Sequence, residues 1–284
     1  MTKKKIPPPS ELDDDLEQLL IGLKLPQIRE VLQRELQRAE AEAPSYAEFL
    51  RRILREEFQD QQMRFLEHRL RRARLPERWS LDTFPWKQQP SLKRSSIEQL
   101  ATLDFVDRAA NIVFVGEPGV GKTGIASAIL MRALERGYRG LFIKAQDLFD
   151  EMYKSLADRS SPRLLKRLVS LDLLLIDEMG YLNLRPEQTN ISFKLMEERY
   201  RRRATIVTTN LEFDEWHQFL GNKPLVDALL SRLLHQCHTI RIKGPSLRAP
   251  KSDPEARPQA TKSKSAAVPA EALPAAPAES ASTP

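Results

Sequence analysis

Eight consecutive residues, Gly116-Glu117-Pro118-Gly119-Val120-Gly121-Lys122-Thr123, have types and spacing suited to holding phosphate. Glycines at 116, 119 and 121 permit backbone angles that turn amide N–H groups inward around phosphate oxygens. Lys122 is placed to lie along the β- and γ-phosphates, and the Thr123 hydroxyl to ligate Mg²⁺. With Gly124, in the first turn of the helix that opens at Lys122, residues 116–124 form the expected binding set. The pattern predicts a site for a nucleoside triphosphate.

Three further positions could act on that ligand. Leu173-Leu174-Leu175-Ile176 reads as a buried strand that delivers Asp177 and Glu178 to the carboxyl edge of a sheet. There Asp177 would help hold the metal, and Glu178 would serve as general base for an attacking water. The strand ending Thr208-Thr209-Asn210 would bring an amide near the γ-phosphate, where it orients water. Taken alone, Asn210 reads more readily as an asparagine that tolerates a strand-end turn. Arg232, in Ser231-Arg232-Leu233, is either a surface salt-bridge partner or an arginine supplied to a neighbouring subunit's phosphates.

The elements that must position these residues alternate. The apolar run Ile112-Val113-Phe114-Val115 precedes the glycine loop, and Ile125, Ala126, Ala128, Ile129, Leu130, Ala133 and Leu134 follow it at helical spacing. Strands are expected over 141–143, 171–176, 204–210 and 239–242, and helices over 95–109, 147–156, 162–169, 186–202 and 224–235. Strands alternating with helices predict an α/β class, a parallel sheet flanked by helices.

Ahead of this region the chain reads as a small all-α domain over 11–75, after a disordered lead over 1–10. Leu12, Leu16, Leu19, Leu20 and Leu23 share one face of a first helix. Pro26 opens a second, with Ile28, Val31, Leu32 and Leu36 inward. Ser45-Tyr46-Ala47-Glu48 is a capping box that starts a third.

Residues 51–78 carry nine arginines, no lysine and five acids. Arg64, Arg69, Arg71, Arg72 and Arg74 crowd the end of the third helix. Two readings are open there: contacts to a nucleic-acid backbone, or a solvated face with internal pairs such as Arg52 with Glu56. Residues 76–94 read as a linker whose Trp79, Phe84, Pro85 and Trp86 either border the nucleotide base or cover the core. The α/β domain is expected over 95–243. From Gly244 the composition turns to proline and alanine, and 244–284 is expected to be a disordered tail.

The chain has 284 residues, a net charge of +6 and one cysteine, Cys237. One cysteine excludes an intrachain disulfide and a cysteine metal site, and fits a reducing compartment. No apolar run is long enough to span a membrane, and the amino-terminal residues do not read as a secretory signal. A cytoplasmic location is expected.

Together, Asn111-Ile112-Val113-Phe114-Val115-Gly116, the phosphate loop, Leu174-Leu175-Ile176-Asp177-Glu178-Met179-Gly180-Tyr181, Glu198-Arg199-Tyr200, Thr208-Thr209-Asn210, Glu215-Trp216 and Ser231-Arg232-Leu233-Leu234-His235 resemble the IstB-like ATPases. These are the transposition helpers of bacterial insertion sequences, related to DnaC-type helicase loaders within the AAA+ initiators. The resemblance covers roughly residues 12–248. It implies a P-loop AAA+ fold, ATP and Mg²⁺ at 116–123, Walker B roles for Asp177 and Glu178, a sensor 1 role for Asn210 and an arginine-finger role for Arg232. It further implies ATP hydrolysis, an ATP-dependent homo-oligomer on duplex DNA, and recruitment of a cognate transposase. A helical insertion near 153–169 would turn Lys154, Arg159, Arg163, Lys166 and Arg167 toward DNA. The rival readings are a replicative helicase loader and a non-hydrolysing ATP switch. Gly124 departs from the family's usual histidine, Ser231 from a common aspartate, and Leu247 from the tyrosine of a usual Ser-Tyr-Arg, which leaves Arg248 without an assigned role.

Overall fold

The computed structural model describes residues 14–180 and 184–248. The expected lead (1–10), Leu12, Tyr181 and the tail from 249 onward lie outside the described residues.

The apolar runs form five strands: β1 (Asn111–Gly116), β2 (Gly140–Lys144), β3 (Leu173–Met179), β4 (Ala204–Thr209) and β5 (Cys237–Ile242). They pair in parallel in the order β2-β3-β4-β1-β5. A parallel sheet is covered on both faces, so its strands are apolar on both sides, and the two-residue side-chain period sorts them between two cores. Ile112, Phe114, Leu173, Leu175 and Ile206 face one core with α6 (Lys122–Glu135). Val113, Val115, Leu174, Ile176 and Val207 face the other, under α7 (Ala145–Ala157), α8 (Ser161–Val169), α9 (Pro186–Arg199), α10 (Trp216–Leu220) and α11 (Lys223–Leu234).

Three elements differ from expectation. The helix expected over 95–109 is broken into α4 (Arg94–Leu100) and α5 (Asp104–Asp107). Leu103 takes a left-handed backbone between them, and the break buries Leu100, Leu103 and Phe105 together. Strand β3 starts at Leu173 rather than Leu171 and ends at Met179, one residue past Asp177-Glu178, with an irregularity between Ile176 and Met179. Helix α9 ends at Arg199, not Arg202, and the Arg199 side chain turns inward. It donates to the carbonyls of Leu168 (2.7 Å), Leu171 (3.0 Å) and Ala204, and to the Thr205 hydroxyl. Burial pulls its pKa down to about 9.

The amino-terminal helices are α1 (Asp14–Gly22), α2 (Pro26–Glu42) and α3 (Tyr46–Ala73). Ser45 Oγ caps α3 by accepting from the Glu48 amide, the first half of the expected capping box, while the Glu48 carboxylate turns to Arg51 and Arg52 instead of the Ser45 amide. Ile28, Val31 and Leu32 are buried as expected. The leucine face of α1 is not: Leu20 alone is buried, while Leu16, Leu19 and Leu23 are exposed. A nine-residue helix meets α2 along one line only, too little surface for four leucines. Arg52 pairs with Glu42 and Glu48 instead of Glu56. The buried Glu57 of α3 accepts the amides of Gln27 (2.9 Å) and Ile28 (3.1 Å), capping α2 from a different helix.

Helix α3 then continues onto the α/β region. Leu66, Leu70 and Ala73 pack against the α6 side of the sheet, and Arg69 Nε donates to the Leu134 carbonyl at the end of α6 (2.8 Å). In the segment that follows, Leu81, Phe84 and Leu92 are buried in the same core.

Candidate active site

The phosphate loop joins β1 to α6 at the carboxyl edge of the sheet, and α6 begins at Lys122, so its unpaired N–H groups point into the loop. Gly119 and Gly121 have φ of +86° and +97°, the left-handed region that glycine tolerates. Space is equally restrictive, since a Cβ at Gly121 would lie 2.8 Å from the Phe84 ring and one at Gly119 2.1 Å from Ser246 Oγ. Val120 packs into the core and anchors the loop from below. Lys122 Nζ donates to the carbonyls of Gly116 (2.6 Å) and Glu117 (2.9 Å). Burial pulls its pKa down, against the opposing pull of Asp177 and Glu117.

Asp177 arrives on β3 directly opposite Thr123. Its Oδ1 accepts from Thr123 Oγ1 (2.8 Å) and from Thr208 Oγ1 on the neighbouring strand β4 (2.6 Å). The carboxylate is buried, and burial pushes its pKa up; the two hydroxyls and Lys144 only partly offset this. A buried acid whose contacts are hydroxyls is short of positive charge, the condition a cation relieves. Thr123 and Asp177 therefore fit Mg²⁺, which takes few protein ligands and keeps waters and phosphate oxygens for the rest. Among the described residues no cluster of three or more Cys, His, Asp or Glu offers a fuller metal cage.

Glu178 sits at the strand irregularity with φ of +60°. Its amide donates to Thr208 Oγ1 (3.0 Å), and its carboxylate is half exposed toward the cleft. Lys144 Nζ, at the end of β2, pairs with Glu178 Oε2 at 3.0 Å, and that hydrogen bond raises the Lys144 pKa. Asn210 follows β4, and its Oδ1 is buried with no hydrogen-bond partner among the described residues. An unpaired buried carbonyl beside two carboxylates is available to a water or ligand donor.

These groups line one cleft of about 900 Å³. Pro118, Gly119, Gly121, Lys122, Thr123 and Gly124 of the loop and α6 line it together with Asp177, Glu178, Thr208 and Asn210 of the strand ends. Trp79, Phe84 and Pro85 line it beside the loop, Phe84 against Gly121 and Trp79 against Gly124, so the aromatic segment both covers the core and borders the cleft. The Trp79 ring lies 3.3 Å from where a Cβ on Gly124 would be, so the glycine leaves room for the indole.

Residues 244–248 depart from the tail expected by composition. They fold back over the loop: Leu247 N donates to Gly119 O (2.9 Å), Gln89 Nε2 to Pro245 O (2.7 Å), and Leu247 and Arg248 line the cleft. Arg232 does not line it. On α11 it donates to Ala228 O (2.9 Å), pairs with Glu197 (3.2 Å) and stacks over Phe193.

Sequence reasoning missed Thr208, Lys144 and the 244–248 strap. The strand pairing that sets Lys144 beside Asp177 is the signal for the lysine, legible only once β2 is known to neighbour β3.

A family model described as IstB-like ATP binding protein matches residues 18–254. A putative ATP-binding protein of insertion sequence IS5376 from Geobacillus stearothermophilus is 39% identical over 204 residues, 72% of this chain and 81% of that one. A putative ATP-binding protein of IS21 from Pseudomonas aeruginosa is 36% identical over 234 residues, 82% of this chain and 88% of that one. Among solved structures, the DnaC helicase loader superposes with a TM-score of 0.50 at 25% identity, over 58% of this chain and 96% of its own. DnaI gives a TM-score of 0.51 at 21% identity over 58% and 92%, a likeness of fold.

Proposed function

This chain belongs to the IstB-like ATP binding proteins, and from that premise we propose that it is the ATPase helper of an insertion sequence. In this reading it binds ATP, assembles as a homo-oligomer on duplex DNA, remodels that DNA and recruits the cognate transposase. The observation that carries the enzymatic part is Glu178, a half-exposed carboxylate held beside the phosphate loop next to a buried Asp177. A protein that only senses nucleotide has no use for a water-activating base there.

In the proposed reaction the N–H groups of 119–123 and Lys122 hold the β- and γ-phosphates. Thr123 and Asp177 would hold Mg²⁺, which neutralises phosphate charge when bound. Glu178 accepts a proton from a water that attacks the γ-phosphorus; the bond to the ADP oxygen breaks, and phosphate leaves. Asn210 orients that water through its unpaired Oδ1. Trp79 and Phe84 border the base. Arg232, outside its own cleft, acts on the phosphates of a neighbouring subunit once Glu197 releases it. No described helix is long and apolar enough to cross a membrane, and a cytoplasmic site of action is part of the proposal.

The test is light scattering of the full chain with duplex DNA, with and without ATP and Mg²⁺. ATP-dependent growth of large DNA-bound particles is expected. A stable complex forming only on a replicative helicase would move the assignment to a loader, a reading the DnaC-like fold keeps available. Against that reading, the family model spans residues 18–254 and the IS21 relative is 36% identical over 234 residues, and both are insertion-sequence or IstB-like ATP-binding proteins.

A further inference from the structure

Away from the nucleotide cleft, the start of β2 borders a second cavity of about 750 Å³, between the end of α3, the α6–β2 turn and the end of α8. Six arginines line it and no carboxylate does: Arg69, Arg71, Arg72 and Arg74 at the end of α3, Arg139 before β2, and Arg167 on α8. Four of them are held in place. Arg69 is bonded to the Leu134 carbonyl, Arg74 and Arg167 share Glu151, and Arg139 pairs with Asp172. Arg71 and Arg72 are exposed and have no hydrogen-bond or ion-pair partner among the described residues. Two carboxylates behind six guanidiniums leave an excess of positive charge concentrated in one concave wall.

Convergent guanidiniums select phosphate through paired N–H donors, and the four held ones need little ordering to do so. The apolar part of the wall is small. Leu141 is buried and Leu171 half-buried, which leaves Phe65 as its single exposed apolar side chain. One aromatic is no platform for stacking successive bases of a single strand. It is also a thin anchor for an acidic peptide, whose binding concentrates in buried apolar contacts. A duplex backbone needs neither: it presents a phosphate roughly every 3.4 Å along each strand, and arginines on adjacent helical turns, about 5.4 Å apart, can follow it.

We infer that this arginine cleft is a docking track for the phosphate backbone of duplex DNA, separate from the nucleotide site. The inference rests on the DNA-binding reading above and assigns it a surface. Because α3 also carries the amino-terminal helices, a backbone seated here bridges them and the α/β region without touching the phosphate loop.

The experiment is fluorescence anisotropy of a labelled 50-base-pair duplex with the full chain, saturated with ATP and Mg²⁺, over a range of salt. Wild type is compared with Arg71→Ala/Arg72→Ala. The control, Lys87→Ala/Lys223→Ala, removes equal charge at exposed positions elsewhere. Circular dichroism and binding of a fluorescent ATP analogue verify that each variant is folded. The arginine pair is expected to weaken duplex binding about tenfold near 0.1 M salt and to flatten the slope of log K against log salt by roughly 1.8. Analogue affinity should be unchanged, and the control variant should keep most of the wild-type slope. Wild-type binding with no change of affinity or slope in the arginine variant overturns the cleft assignment and leaves the DNA reading standing. No duplex binding by the wild type overturns both. Tighter capture of a labelled poly-glutamate peptide than of duplex, lost in the same variant, overturns the inference in favour of an acidic protein partner.

Discussion

At the carboxyl edge of the sheet, the groups facing the cleft are tied to one another. Thr123 and Thr208 share one oxygen of Asp177, Glu178 is held through its amide and by Lys144, and Lys122 is bonded to the loop's own carbonyls. At the opposite end of β2, the arginine cleft ties four of its guanidiniums to carbonyls or carboxylates and leaves the exposed Arg71 and Arg72 without partners among the described residues. Both regions suit phosphate, by different physics. The first uses backbone N–H groups and a buried Asp177 fixed by the Thr123 and Thr208 hydroxyls, which suits chemistry on one γ-phosphate. The second uses a field of long, charged side chains, which suits a repeating anion of any sequence and weakens with salt. Charge count alone does not separate a site suited to chemistry on phosphate from one suited to docking; burial and mutual hydrogen bonding do.

Variants on the two sides should therefore separate catalysis from docking. The largest effect is expected for Arg232→Ala, which should lower steady-state ATP hydrolysis about a thousandfold while leaving ATP affinity within twofold. Mixing it with Lys122→Ala should restore activity, since each variant supplies what the other lacks; absence of restoration would show that Arg232 does not act between subunits. Next, Glu178→Gln should cut hydrolysis by about a hundredfold, retain ATP and trap the DNA-bound assembly. A normal turnover rate in that variant would remove Glu178 from the mechanism. Neither change should alter the salt slope of duplex binding at saturating ATP, and a change there would collapse the distinction between the regions.

A smaller effect is expected at the aromatic wall. Trp79→Ala should weaken ATP about tenfold through lost ring contact, roughly 1–1.5 kcal/mol, and abolish any tryptophan emission change on titration with ATP. An unchanged emission response would place the base elsewhere. The smallest effect concerns Asp177→Asn without nucleotide or metal. Burial raises the pKa of Asp177 in the fold, so the folded state holds its proton to higher pH than the unfolded chain. The associated stability is present below the unfolded value of about 3.9 and is lost as pH rises through the raised one. At neutral pH the ionised carboxylate thus costs stability, and Asp177→Asn should raise the melting temperature by roughly 2–4 °C, about 1 kcal/mol. The gain should vanish at acidic pH, measured by calorimetry; an equal gain at all pH values would refute the electrostatic account.

Much of the candidate site was legible because its parts are local in sequence. A glycine loop between an apolar strand and a helix specifies its own conformation, and Ile176-Asp177-Glu178 marks a strand end by the change from apolar to acidic. Lys144 was not legible in the same way: an exposed lysine after a short strand resembles any other until β2 is placed beside β3. Thr208 was read as part of a strand, yet its hydroxyl bridges Asp177 and the Glu178 amide because β4 neighbours β3. The five arginines of α3 looked alike in sequence and are not. Arg64 pairs with Glu57 and Asp60, Arg69 caps α6, Arg74 meets Glu151, and Arg71 and Arg72 alone stay without partners among the described residues. The helix expected over 95–109 failed for a related reason, since its periodicity continued but the burial of Leu103 and Phe105 required a break.

By itself, then, the sequence determined the alternating α/β order, the phosphate loop and the acidic strand end, all of which follow from short-range backbone preference and hydrophobic period. Only the tertiary structure decided which strands are neighbours, and with that the Thr208 bridge and the Lys144 pair. It also decided that residues 244–248 return to cover the loop and that six arginines from three separate segments meet in one cleft. Those outcomes depend on contacts between residues far apart in the chain, about which local propensity carries no information.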